Sequence, residues 1–240
     1  MSAPAVRARG VVASALTAAA GWLVEPAAPE AGPESRLVPA ERPVVAVVGL
    51  APGCGATAVA RALGAELAAR DCDGGCAVTA VTARGTMPLG LPAAGRLARS
   101  LAPVAGFRTR ACGRLCLVEC HDSAALAGAL LYRAPLVLDV ADPREASAAA
   151  ALADTAVLVA TPRIEPALAL VMAESLARVG SEPLIVLNRA MGEEDPWSGR
   201  AGVELPDSRM GAQLALAGRE ARGELGRAVA ELADQVVGRA

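Results

Sequence analysis

The stretch VVAVVGLAPGCGAT, Val44 to Thr57, constrains the fold more than any other part of the chain. An uninterrupted β-branched run suits a strand buried on both faces, and such strands belong to parallel sheets covered by helices. Gly49, Gly53 and Gly55 let the backbone turn sharply, and the alanine-rich segment from Ala56 restores helical propensity. Strand, glycine-rich loop and helix in that order offer helix N–H groups and a positive dipole end to an anion beyond the carboxyl edge of a sheet. Thr57 adds a hydroxyl at the first helical turn. The lysine that such a loop commonly carries is absent. All 23 basic residues are arginine, so no lysine elsewhere in the chain can substitute.

Beyond this stretch, short β-branched runs alternate with longer alanine- and leucine-rich segments. That is the pattern of βα units. The expected fold class is α/β, a Rossmann-like three-layer sandwich with a mostly parallel sheet. Strands are expected at Val44 to Val48, Val78 to Thr82, Leu115 to Glu119, Leu136 to Val140, Ala156 to Ala160 and Leu184 to Leu187. Helices are expected at Ala56 to Arg70, Ala93 to Leu101, Ser123 to Leu131, Arg144 to Ala153, Glu165 to Val179 and Gln213 to Val237. In the fifth helix Leu168, Met172, Leu176 and Val179 keep helical spacing and read as a core stripe, with Gly180 as the stop. The last helix repeats Leu214, Ala221, Leu225, Val229, Leu232 and Val236 on one face against mixed charges on the other, which favours docking on the sheet over a membrane surface.

Three segments divide the chain. Residues 1–24 form an apolar segment, read as a packed or tethered helix, with a secretory signal as the alternative because Arg7 and Arg9 precede GVVASALTAAAGWLV. Residues 25–43 hold five prolines and read as an extended linker. Residues 44–240 are read as the domain, and the 54% hydrophobic content of the whole chain is enough for one sizeable core. A net charge of -2 and only four aromatic residues (one Tyr, one Phe, two Trp) leave neither a basic footprint nor stacking platforms for nucleic acid. Six scattered cysteines in an α/β chain point to a reducing compartment, so the expected location is the cytoplasm.

The loop admits a phosphate cradle, a structural turn without ligand, or a dinucleotide site, since Gly53, Gly55 and Ala58 fit G-x-G-x-x-G/A and Arg84 is placed to meet a 2′-phosphate. The last is weakened by the four residues, Gly49 to Pro52, between the strand and Gly53. The order strand, loop, GAT, helix resembles the deviant phosphate loop of the MinD and ParA group of P-loop ATPases, which reads lysine-glycine-glycine-any-glycine-lysine-threonine. Here Ala51, Pro52, Gly53, Cys54, Gly55, Ala56 and Thr57 occupy those positions, with alanine in place of both lysines. APLVLDVADP, ADTAVLVATP, PLIVLNRA and VELPDSRMGAQL resemble later segments of the family in the same order. The resemblance implies that residues 53–57 cradle phosphate, that Asn188 contacts the base, and that Thr57 and Asp139 lie at a magnesium. The aspartate the family carries after its second strand has no counterpart in AVTAVTARG.

These residues together describe a degenerate member that binds ATP and magnesium weakly or not at all and has a regulatory or partner-binding role, with a protein partner or a homodimer. The alternatives are an active ATPase in which an arginine such as Arg84 or Arg163 supplies the charge, and a scaffold or NADP-binding protein. CGRLCLVECH and CDGGC lack the tight pairs of a zinc site, so Cys116 and Cys120 read as small hydrophobes on one strand face. Glu119, His121 and Asp122 fall at the expected ligand edge of the sheet and read as a solvated loop. Cys54, at a helix N-terminus, is expected to be the most reactive thiol.

Overall fold

β1 (Val44–Gly49) lies in the interior of an eight-stranded sheet, hydrogen-bonded to β5 (Leu136–Val140) on one side and to β6 (Thr155–Ala160) on the other. A computed structural model of the chain describes residues 43–71, 76–80, 108–112, 115–119, 135–140, 143–180, 183–190, 197 and 199–239. The remaining strands are β2 (Cys76–Ala80), β3 (Arg108–Cys112), β4 (Leu115–Glu119), β7 (Leu184–Ala190) and β8 (Val203–Pro206), in the spatial order β3-β4-β2-β5-β1-β6-β7-β8. Every pairing is parallel except β3 with β4. The chain leaves β1 towards β2 on one side, and its later strands extend the sheet on the other. A crevice therefore opens at the carboxyl end of β1, where such sheets bind their ligands. Because β5 separates β1 from β2, the strand order is also not the 3-2-1-4-5-6 order of dinucleotide-binding folds.

Successive strand residues face opposite layers. Val45 and Val47 join Val137, Val157 and Val186 beneath α1 (Ala56–Arg70) and the two C-terminal helices, while Ala46 and Val48 join Leu136, Leu138 and Leu158 on the other face. That second face is covered by α2 (Ala146–Ala150) and α3 (Pro166–Ala177). The result is the expected three-layer sandwich. Helix α1 is buried along most of its length because it is wedged between the sheet and the C-terminal helices. Its far end is tied to them by Arg70, which pairs with Glu66 at 2.9 Å and with Asp234, and donates to the carbonyl of Ala230 at 3.0 Å.

Three expectations are corrected. The expected helix Gln213 to Val237 is two helices, α4 (Arg209–Leu216) and α5 (Gly223–Val237). Gly218 sits at φ 68 in a left-handed stop, with the amide of Arg219 bonded to the carbonyl of Leu214 and that of Gly218 to Ala215. Ser208 caps the start of α4 by accepting from the amide of Gly211 at 3.0 Å. On α3 the buried line runs through Ala169, Met172, Ala173 and Leu176, so Leu168 and Val179 from the expected core stripe are 48% and 42% exposed. A four-residue step overshoots the helical repeat, so Leu168, two such steps before Leu176, turns off the packed side on which Met172 and Leu176 remain. Finally, β3 and β8 are strands that the apolar pattern did not mark, and β2 begins two residues before Val78. The helices expected at Ala93 to Leu101 and Ser123 to Leu131, the first 42 residues, and Arg84, Cys120, His121 and Asp122 lie outside the described residues. Among the described residues no helix is long and apolar enough to cross a membrane, and no group of three or more His, Cys, Asp or Glu is placed to hold a metal.

Candidate functional site

The loop after β1 has the form of a phosphate cradle. The amide of Leu50 bonds to the carbonyl of Val159, that of Cys54 closes a turn onto Ala51, and Gly53 and Gly55 adopt φ values of 78 and 90. Both angles are in the left-handed region that glycine enters without steric cost. Gly55 is the N-cap of α1, and no side chain caps that end. The first amides of the helix are therefore left for a ligand or solvent, at the positive end of its dipole.

Around this loop the structure brings together the residues singled out from the sequence. The Thr57 hydroxyl donates to Asp139 Oδ1 at 3.2 Å. Asp139 reaches it because β5 pairs with β1 in register, with Asp139 beside Val47 near the carboxyl edge. Asp139 is 6% exposed, and burial pushes its carboxyl above the ordinary value, opposed by the Thr57 hydrogen bond and the Arg61 charge. On the opposite flank Asn188 Nδ2 donates to the carbonyl of Cys54 at 2.8 Å. The β7–β8 ladder shifts register between Asn188 and Ala190, and Arg189 inside that irregularity has φ 63. Non-glycine residues held in this region cluster at binding sites, where surrounding structure fixes them.

A cleft opens next to Asn188. It is lined by Gly55, Asn188, Arg189, Pro206, Asp207 and Ser208 together with apolar residues of α1, β8, α4 and α5, and it is open to solvent.

Two features differ from the sequence reading. Cys54, expected to be accessible and reactive, is 4% exposed, and its sulfur packs over Gly49 so closely that a Cβ there would lie 2.8 Å away. The backbone turn at Ala51 to Cys54 points the side chain inward. Arg61, which the motif comparison did not single out, is buried one turn beyond Thr57, with Nη1 donating to the carbonyl of Leu216 at 2.8 Å. The available signal was an arginine inside the apolar run ATAVARALGAELAA. Arg163 lies exposed between β6 and α3.

No protein-family model matches the chain, and no curated protein sequence is significantly similar to it. Solved structures are similar in fold. A plasmid partition protein of Borrelia burgdorferi bound to AMPPNP gives a TM-score of 0.58 at 9% identity, over 82% of this chain and 98% of that one. MinD of Aquifex aeolicus gives 0.56 at 14% identity, over 82% and 97%. A ParA family ATPase of Chlorobium tepidum gives 0.51 at 14%, over 80% and 98%. The protein has the fold of the P-loop NTPases. Within that class it is the MinD and ParA arrangement that the chain follows over most of its length.

Proposed function

We propose that this protein is a degenerate MinD/ParA-like phosphate-loop protein that binds nucleotide weakly or not at all and acts in the cytoplasm by regulating or docking with a partner, either another protein or a second copy of itself. The observation that carries this reading is a loop in cradle form, with left-handed Gly53 and Gly55 at a bare helix N-terminus, whose two lysine positions are Ala51 and Ala56. In P-loop enzymes the lysine holds the transferred phosphates in place and carries part of their charge. Backbone amides alone supply the shape of that site without its strongest side-chain contact.

A nucleotide would place its phosphates on the amides of Gly53 to Thr57 and its base in the cleft beside Asn188, with residues 1–24 and 25–43 as an appended segment and linker to the 44–240 domain. Thr57 and Asp139 present two hard oxygens of the kind a magnesium ion takes. Magnesium held there would neutralise phosphate charge. The related structures support nucleotide and partner in kind: the Borrelia protein carries AMPPNP, and Aquifex MinD is also known in complex with MinC.

Calorimetric titration with ATP, in parallel with a phosphate-release assay, tests the reading. Dissociation constants in the high micromolar range or weaker, with no turnover above background, are expected. Submicromolar binding with sustained hydrolysis would sink it. The competing reading, an active ATPase using an arginine, draws support from the exposed position of Arg163 at the carboxyl end of β6. Turnover abolished by Arg163→Ala would establish that alternative.

A further inference from the structure

Helix α3 reads PALALVMAESLA, with Glu174 and Ser175 as its polar residues, yet it buries only one side. Pro166, Ala169 and Leu176 are buried, whereas Leu168, Leu170 and Val171 are exposed, as is Val179 just past the helix end. Val171 is the barest of the four at 63%. A helix that is apolar on every side is normally covered on every side. Single exposed leucines call for no explanation, but neighbouring turns of one helix that expose a continuous apolar patch mark a contact surface.

The charges at its two ends decide what fits there. Glu165 is the N-cap of α3 and Arg178 its C-cap; both are exposed, and neither side chain has an ion-pair partner among the described residues. Val171 lies midway between them. We propose that the exposed face of α3 docks a second copy of this chain, the two helices running antiparallel about a two-fold axis beside Val171. An interface of that symmetry must be self-complementary, and this one is: Glu165 of each copy meets Arg178 of the other, with Leu168 and Val171 between. The antiparallel order also sets the helix dipoles against each other favourably. A lipid surface would call for a cationic rim, which the exposed Glu165 and Glu174 deny it. The inference rests on the second-copy form of the proposed function and does not use the phosphate-type loop, since α3 covers the face of the sheet opposite α1.

Sedimentation equilibrium of the full-length protein without nucleotide tests this, so a failure of the nucleotide reading leaves the outcome untouched. Wild type should be a dimer, and Val171→Glu, which sets like charges together at the axis, should weaken it on the order of a hundredfold. Glu165→Arg and Arg178→Glu should each weaken it several-fold, and the two together should regain wild-type affinity because the pairs re-form with their signs exchanged. That rescue is specific to self-pairing, since the surface of a different protein would not change sign with this one. Both exchanges fall on exposed residues and decide the matter should Val171→Glu not fold. A wild type that stays monomeric up to about 0.1 mM overturns the proposal, including one that floats with phosphatidylcholine and phosphatidylglycerol vesicles. A dimer that Val171→Glu leaves intact, or that the double exchange does not restore, overturns it as well.

Discussion

The side-chain amide of Asn188 donates to the carbonyl oxygen of Cys54 at 2.8 Å, fastening the phosphate-type loop to the end of β7. The same amide group lies against the α-carbon of Gly55, so that a methyl group added there would overlap Asn188 Nδ2. The loop is thus clamped between β1 and a strand two positions away in the sheet.

The clamp separates two glycines that look alike in sequence. Gly53→Ala meets open space and carries only the left-handed penalty at φ 78, about 1–2 kcal/mol. Gly55→Ala adds the collision with Asn188 at φ 90, and overpacking of that kind costs about 1–3 kcal/mol more. Urea denaturation of both variants should rank Gly55→Ala as clearly the less stable. Equal losses would mean that Asn188 does not hold this position in solution.

Burial of Cys54 sets a second expectation. With its sulfur packed over Gly49, the thiol should react with a neutral alkylating reagent at least about tenfold more slowly in the native protein than in urea, as inert buried cysteines do. Peptide mapping after timed alkylation reads this directly. Rapid native labelling at position 54 would show a loop that opens freely.

What could be read beforehand follows from how each segment meets water. β4 and β5 have the expected limits, and β1 extends the expected one by a residue, because LCLVE, LVLDV and VVAVVG are largely apolar runs and β4 and β5 are each paired on both sides. β3 and β8 are the two edges of the sheet, where RTRAC opens on three polar residues and VELP alternates apolar with polar, so neither carries a continuous apolar run. The break at Gly218 was hidden because Leu214 and Leu225 keep a spacing that one continuous helix also satisfies. Thr57, Asp139 and Asn188 were legible because each ends or follows a recognisable strand. Arg61 was not, since the carbonyl it donates to, that of Leu216, is far from it in sequence.

Asp139 makes stability depend on pH in a definite direction. Burial raises its carboxyl above the ordinary value of 3.8, so the folded state holds that proton more tightly than the unfolded chain. The contribution is fully present below the unfolded value and is lost as pH rises through the folded one. Asparagine cannot ionise, so the stability of Asp139→Asn relative to wild type should increase as pH rises from about 4. Urea titrations at several pH values between 3.5 and 7 measure the difference. A relative stability that falls with pH would contradict the burial argument.

Ala56→Lys asks how much of a nucleotide site remains. Position 56 is the first residue of α1, directly after the left-handed Gly55 and among the unpartnered amides of the helix start. A lysine there adds a charge-assisted contact to phosphate worth about 1.5–3 kcal/mol. At 1.4 kcal/mol per decade that corresponds to roughly a ten- to hundredfold gain in affinity. Hydrolysis needs more than affinity: a water must be positioned and charge must be neutralised at the acid. AVTAVTARG supplies no carboxylate for the first task, and a lysine at 56 does nothing to provide one. ATP should therefore bind Ala56→Lys more tightly with no rise in phosphate release, as followed by calorimetry and a release assay on the two proteins. Turnover appearing with the single substitution would show that the lysine was the only missing part. Absence of binding in both proteins would reduce the loop to a strand-to-helix turn.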